Sequence, residues 1–243
     1  MAYKLEWDKS GERLYHAGVK NVVLYKQNSS GNYVNGEAWN GVTSINENPS
    51  GAEETKLFAD DIKYLGMRSA EEYGATLGCY MYPDGWKECD GRATPVPGLS
   101  IGQQKRKPFG LSYITTVGND TEGENYGYVI HLAYGLTASP SEQSHETIND
   151  SPEAGEFSYE LSSTPVNVTN YKPTSVIEIE SWKFSEEKMN AFKQILYGTP
   201  SGDGVDAVDA VLPLPNAVIA HFQTTSGSGE TPPAGETPIT GQG

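Results

Sequence analysis

Between Pro108 and Tyr171 the chain has no lysine and no arginine, yet nine acidic side chains fall there. They are Asp120, Glu122, Glu124, Glu142, Glu146, Asp150, Glu153, Glu156 and Glu160. Across all 243 residues, 17 basic side chains stand against 32 acidic ones, a net charge of −15. A surface of that sign repels phosphate backbones. Ordinary nucleic-acid binding is therefore excluded. Two readings remain: a protein with no nucleic-acid business, or a surface past which nucleic acid moves without adhering.

Other absences narrow the class. Cys79 and Cys89 are the only cysteines, too few for a disulfide scaffold, and they read as two free thiols. No apolar run approaches the roughly 20 residues of a membrane helix. The stretch from Met1 to Asp8 has no apolar signal core, so synthesis and residence in a cytoplasm are expected. The chain has no Gly-x-Ser-x-Gly, no phosphate-binding loop, no dinucleotide fingerprint and no His-Glu-x-x-His. Its four histidines are scattered. Asp120-Thr121-Glu122-Gly123-Glu124 starts like a calcium loop, but Asn125 and His131 stand where that loop needs Gly and Glu, so it reads as a hairpin tip. Asp203, Asp206 and Asp209 read as loop decoration. Neither a cofactor nor a metal is expected, and no enzyme activity.

What is present is β-structure. Tyr (15) and Gly (27) are plentiful, which suits strands and tight turns. Residues 20–25 form a short β-branched run. Ala75, Leu77, Cys79 and Met81 alternate with Thr76, Gly78, Tyr80 and Tyr82. Phe109, Leu111, Tyr113 and Thr115 share a face, as do Tyr126, Tyr128, Ile130, Leu132 and Tyr134. Phe157, Tyr159 and Leu161, then Ile177 and Ile179, repeat the pattern. Period-two alternation predicts half-buried antiparallel strands. Asn35-Gly36, Asn40-Gly41, Asp84-Gly85 and Asp90-Gly91 are expected turns.

One helix is expected over 186–197, capped by Ser185, with acids in its first turn and Met189, Phe192 and Leu196 as its apolar stripe. Gly198 and Pro200 end it. A short second helix is expected within 212–222. Strands followed by a helix packed on them predict a mainly β domain, a β-sandwich or half-barrel with one flanking helix, over residues 1–222.

Two regions stand outside that core pattern. Residues 46–59 are polar and read as a long loop between strands, with Asn46, Asn48, Pro49, Ser50, Gly51, Glu53 and Glu54 as its candidate contact residues. Residues 224–243 contain 15 Gly, Pro, Ser or Thr and read as a flexible tail. Glu178 and Glu180 share a strand face; a pair so close is unsuited to flank a sugar as glycosidase acids do. Gln103-Gln104-Lys105-Arg106-Lys107 is the only basic cluster, and an acidic neighbouring subunit suits it better than nucleic acid does.

Several segments, in order, resemble the major tail protein, or tail tube protein, of long-tailed phages of Gram-positive bacteria. They are Ala38-Trp39-Asn40-Gly41-Val42-Thr43, Pro49-Ser50-Gly51-Ala52-Glu53, Ser69-Ala70-Glu71-Glu72-Tyr73-Gly74 and Gly118-Asn119-Asp120-Thr121. Thr147-Ile148-Asn149-Asp150-Ser151-Pro152-Glu153-Ala154 and Thr164-Pro165-Val166 complete the set. The likeness runs from about residue 3 to about residue 222 and leaves out the tail.

The resemblance implies hexameric rings of this chain, stacked into a hollow tube that carries DNA from capsid to host. It implies a virion location, with assembly in the host cytoplasm. It implies a tape measure protein inside the tube, tail terminator and tail-tip proteins at its ends, and no catalytic residues. On that reading 46–59 is the arm that reaches a neighbour. Removing residues 48–54 should then leave a folded monomer that cannot polymerise. Glu160, Glu178 and Glu180 are the expected lumen-facing acids. The alternative is a β-sandwich carbohydrate- or cell-surface-binding module of a tail tip or adhesin, with Trp39, Trp86 and Tyr82 as stacking platforms.

Overall fold

The computed structural model describes residues 4–143, 145, 147, 154–201 and 207–223. The tail reading for 224–243, and Asp203 and Asp206, lie outside the described residues, as do Glu146, Asp150 and Glu153. The fold is mainly β. Strands β1 (Leu14–Gln27), β2 (Tyr33–Ala38) and β3 (Val42–Glu47) come first. Then follow β4 (Ser50–Gly51), β5 (Glu54–Ala59), β6 (Ile62–Arg68), β7 (Glu71–Glu72) and β8 (Gly74–Cys79). A short helix α1 (Trp86–Cys89) leads into β9 (Ala93–Val96) and β10 (Leu99–Ile101). The long pair β11 (Phe109–Asn119) and β12 (Gly123–Ala138) precedes β13 (Phe157–Ser163) and β14 (Val176–Glu180). Helices α2 (Glu186–Tyr197) and α3 (Pro215–Gln223) close the described chain.

Eight strands make one antiparallel sheet, in the order β2-β1-β11-β12-β13-β8-β3, with β14 also on β12. Two strands can share that edge because β12 breaks its line at Gly135. Residues 129–133 pair with β14, and 136–138 pair with β13. Gly135 has φ +61°, and a Cβ there would sit 2.0 Å from the Thr164 carbonyl oxygen. Only glycine fits such a crossing.

The sheet buries both faces at its centre. On one side Leu24, Phe109, Leu111, Ala133, Leu136, Tyr159 and Leu77 pack around Trp39 and Trp86. On the other, Tyr25, Ile114, Ile130, Leu132, Tyr134 and Ile179 meet Met189, Phe192 and Leu196 of α2 and Val218 of α3. Simple alternation therefore understates β11, which is buried along nearly its whole length.

Helix α2 forms where its local signals place it. The Ser185 hydroxyl accepts from the Lys188 N–H, and Gly198 leaves the helix at φ +73°. Met189, Phe192 and Leu196 are its buried residues. The flanking layer is wider than one helix, because α3 packs beside α2. It starts at Pro215, which suits a first helical turn, while Leu212 stays extended and bridges to Tyr33.

Three local expectations are corrected. Asn35-Gly36 is not a hairpin turn but lies inside β2, where Asn35 at φ 54° absorbs a register shift against β1. Met81 lies past the end of β8 and is exposed. Residues 46–59 are not a loop: Asn46 and Glu47 are the last two residues of β3, Ser50 and Gly51 pair with Glu72 and Glu71, and 54–59 is a strand.

Candidate assembly surface

The excursion between β3 and β8 is a projecting two-stage hairpin. Its stem is β4 with β7, and its blade is β5 with β6, a two-stranded sheet of its own. Asp60 and Asp61 turn the blade at φ 48° and 61°, the left-handed pair of a tight hairpin turn. Every residue from 46 to 72 is exposed.

The blade's register sorts its side chains. Thr55 faces Met67, Leu57 faces Leu65, and Ala59 faces Ile62, so these share one side. Glu54 faces Arg68 and Phe58 faces Lys63 on the other, where Lys63 also pairs with Glu54. One surface is thus apolar and the other mostly charged. Ile62 is 64% exposed, Met67 56% and Leu65 49%, with Tyr64 at 73% beside the irregularity between Leu57 and Phe58. An isolated two-stranded hairpin is marginal in water, and a contiguous exposed apolar face marks an interaction surface.

The root of the arm is held as firmly as its tip is free. Glu47, the last residue of β3, accepts from the Tyr113 hydroxyl at 2.5 Å and the Tyr73 hydroxyl at 3.0 Å. Both arm ends are therefore pinned to β11 through one carboxylate. Burial, with the Glu47 charge beside them, holds both phenols neutral well above the usual tyrosine range. Asn48 adds an N–H bond to the Gly74 carbonyl at 2.8 Å and a side-chain bond to Thr76 at 3.1 Å. Beside the root is an open groove of about 690 Å³, lined by Ala52, Arg68, Tyr73, Pro173 and Val176.

His131 stacks on Tyr113, centroids 4.6 Å apart and planes within 5°. Its Nε2 lies 2.9 Å from the Thr115 hydroxyl, and its Nδ1 is 3.4 Å from Glu178 without hydrogen-bond alignment. Desolvation pushes its pKa down; Glu178 and Glu47 oppose that, and His16 adds to it. The unfolded imidazole takes a proton below about pH 6.5, where the folded one still resists it. Stability should therefore fall as pH drops from about 6.5 towards the native value, and level off below it. His131→Gln should remove that part of the slope. Urea melts of both chains from pH 7.5 to 5.5 check this, and parallel pH profiles would contradict it.

The three expected lumen acids do not share a face. Glu178 is paired across from His131 and Glu180 from Val129, on the side away from α2 and α3. Ile177 and Ile179 point the other way, towards the helices. Glu160 alternates with Tyr159 and Leu161, whose side chains fill the Trp39–Trp86 core, so it lies on the opposite, outer face with Thr76. The sequence pattern marks all three as exposed strand positions. It does not mark which side of a curling sheet each one takes.

Trp39 and Trp86 are core residues, 4.7 Å apart and 3% and 1% exposed, and Tyr82 leans on Phe157. None of the two tryptophans' rings is presented to a sugar. Cys79 and Cys89 are buried free thiols, pushed up to about 11 and about 12 by desolvation. Asp120–Glu124 caps the β11–β12 hairpin, with the Asn119 side chain accepting from the Thr121 and Glu122 N–H groups. Among the described residues no group of three His, Cys, Asp or Glu side chains converges on a metal position, and no helix is long and apolar enough to cross a membrane.

No protein-family model matches the chain, and no curated protein matches it.

Proposed function

We propose that this chain is a structural protein that polymerises with itself into stacked rings forming a tube, through which DNA passes without specific binding. The observation that carries the reading is the arm: a blade with one apolar face open to solvent, on a root fastened by Glu47. An apolar side-chain set that stays exposed to water among the described residues calls for a partner. A repeating partner makes the contact heterologous, which closes rings or extends filaments.

Charge supports the conduit. Glu178 and Glu180 lie on the face turned away from the helices, beside a chain of net −15. A wall carrying them offers phosphate little counterion-release affinity. On this reading the arm contacts include Ser50, Gly51, Glu53 and Glu54 but extend outward to Met67. The chain would sit in a virion tail after assembly in a host cytoplasm, with a tape measure protein in the bore and terminator and tip proteins at the ends.

Negative-stain microscopy of the concentrated full chain tests this. Rings or tubes are expected. Monodisperse monomers across the concentration range would sink the proposal.

A further inference from the structure

A second apolar element projects from a different part of the surface. β9 and β10 pair only with each other, and their residues are all exposed. Val96 is 56% exposed, Leu99 54% and Ile101 50%. The base of this hairpin is tied down. Gln104 N–H bonds to the Gly91 carbonyl at 2.8 Å, and Lys107 N–H to the Glu88 carbonyl at 3.1 Å. Asp90 is nearly buried and holds Arg92 at 3.2 Å and Arg106 at 3.6 Å. Between residues 86 and 107 there are five Lys or Arg and two acids, in a chain where acids outnumber bases almost two to one. Glu88 is engaged by Lys107 and Lys26, and Lys105 has no ion pair among the described residues. The result is a fixed protrusion with an apolar tip and a surplus of positive charge.

The opposite chemistry lies elsewhere on the same chain. On the outer face Glu156, just before β13, accepts from the Thr43 hydroxyl, and Glu160 follows two positions after Ser158; neither has an ion pair among the described residues. Glu160, which faces out from the Tyr159–Leu161 core, stands across from uncharged Thr76, itself across from Asn46. Glu160 is exposed on this face and carries its charge without a cation beside it among the described residues.

We propose that the β9–β10 protrusion, with Lys105, docks on the β13 face of a second copy around Glu160. The inference rests on the self-assembly reading and adds a contact separate from the arm. A second copy is the occupant favoured by charge: the protrusion with its base, residues 86–107, carries five Lys or Arg against two acids, and each further copy brings Glu160 with no ion pair among the described residues. Nucleic acid is disfavoured because the remaining surface repels it. Because the two patches differ, the contact is head-to-tail and propagates around a ring instead of ending in a dimer. Glu160 on this reading is a subunit contact and Glu178 and Glu180 are left to the bore.

Charge reversal tests it on the full chain. Lys105→Glu and Glu160→Lys are each expected to reduce the polymerised fraction about tenfold at low salt, and the doubly reversed chain to recover it. Leu99→Gln should weaken assembly at all salt concentrations. All three side chains involved are exposed, and circular dichroism with melting temperature confirms that each variant folds. Single reversals without effect, or a double reversal no better than the singles, would overturn the proposal while the wild-type tube stands. Duplex DNA retained by wild type and lost on Lys105→Glu would also overturn it. A wild-type chain that never polymerises overturns both this contact and the tube.

Discussion

Ile62→Ser with Leu65→Ser should abolish polymerisation and leave the subunit's stability unchanged. Both side chains sit on the apolar side of the β5–β6 blade, 64% and 49% exposed, and the blade pairs with nothing else in its own sheet. Removing exposed apolar groups alters folding by no more than about 0.5 kcal/mol, since little is buried to lose. In a filled interface the same two side chains are each worth about 1.5–3 kcal/mol of burial. The pair should therefore raise the critical concentration by at least roughly a hundredfold, at 1.4 kcal/mol per tenfold. Sedimentation of polymer against concentration, beside a thermal melt of the monomer, reads both quantities. Polymer formation at the wild-type concentration would remove the arm from the account. A drop in melting temperature would show that the blade packs on its own subunit. These two substitutions are sharper than removing residues 48–54, which takes the near half of the stem and breaks the geometry that Glu47 and Tyr73 set up.

Phe192→Asp is expected to be the most damaging single change to the fold. Phe192 is fully buried in the layer between the sheet and the helices, against His221 at 5.2 Å and Phe222 at 5.0 Å. Truncating a buried Phe costs about 3–5 kcal/mol through lost contacts and the cavity. A carboxylate in that place adds its own desolvation. For a domain of this size the loss corresponds to a fall of roughly 6–20 °C in melting temperature. Differential scanning calorimetry measures it. An unchanged melting temperature would mean that α2 is not packed on Ile130, Leu132 and Tyr134 as described.

These two outcomes separate what the sequence made legible from what it hid. Helix α2 could be placed because its information is local: a capping serine, an i, i+3, i+7 apolar stripe and a terminal glycine lie within fourteen residues. The strands over Phe109, Tyr126 and Phe157 could be placed because alternation is also local. The blade was hidden by its neighbours. Leu57 and Ala59, then Leu65 and Met67, alternate, but the extra residue between Lys63 and Leu65 breaks the period after Ile62, and the acids and Pro49-Ser50-Gly51 just before make the segment read as loop. The Glu47 anchor joins residues 26 and 66 positions apart, so no window along the chain contains it. That Glu160 lies on the other face of the sheet from Glu178 and Glu180 is hidden for a related reason. Alternation gives the parity of a side chain within its strand, while the face it reaches depends on how β12 bends at Gly135 and which strand then pairs there.

In the proposed assembly the arm of one subunit packs on the next and the helix-free face lines the bore. A cryo-electron microscopy map of the assembled polymer tests both at once. The expected map shows Leu57, Ile62, Leu65 and Met67 covered by a neighbouring copy, Glu178 and Glu180 at the bore, and α2 on the outside. A polymer in which the blade stands free in solvent, or in which α2 faces the bore, would contradict it.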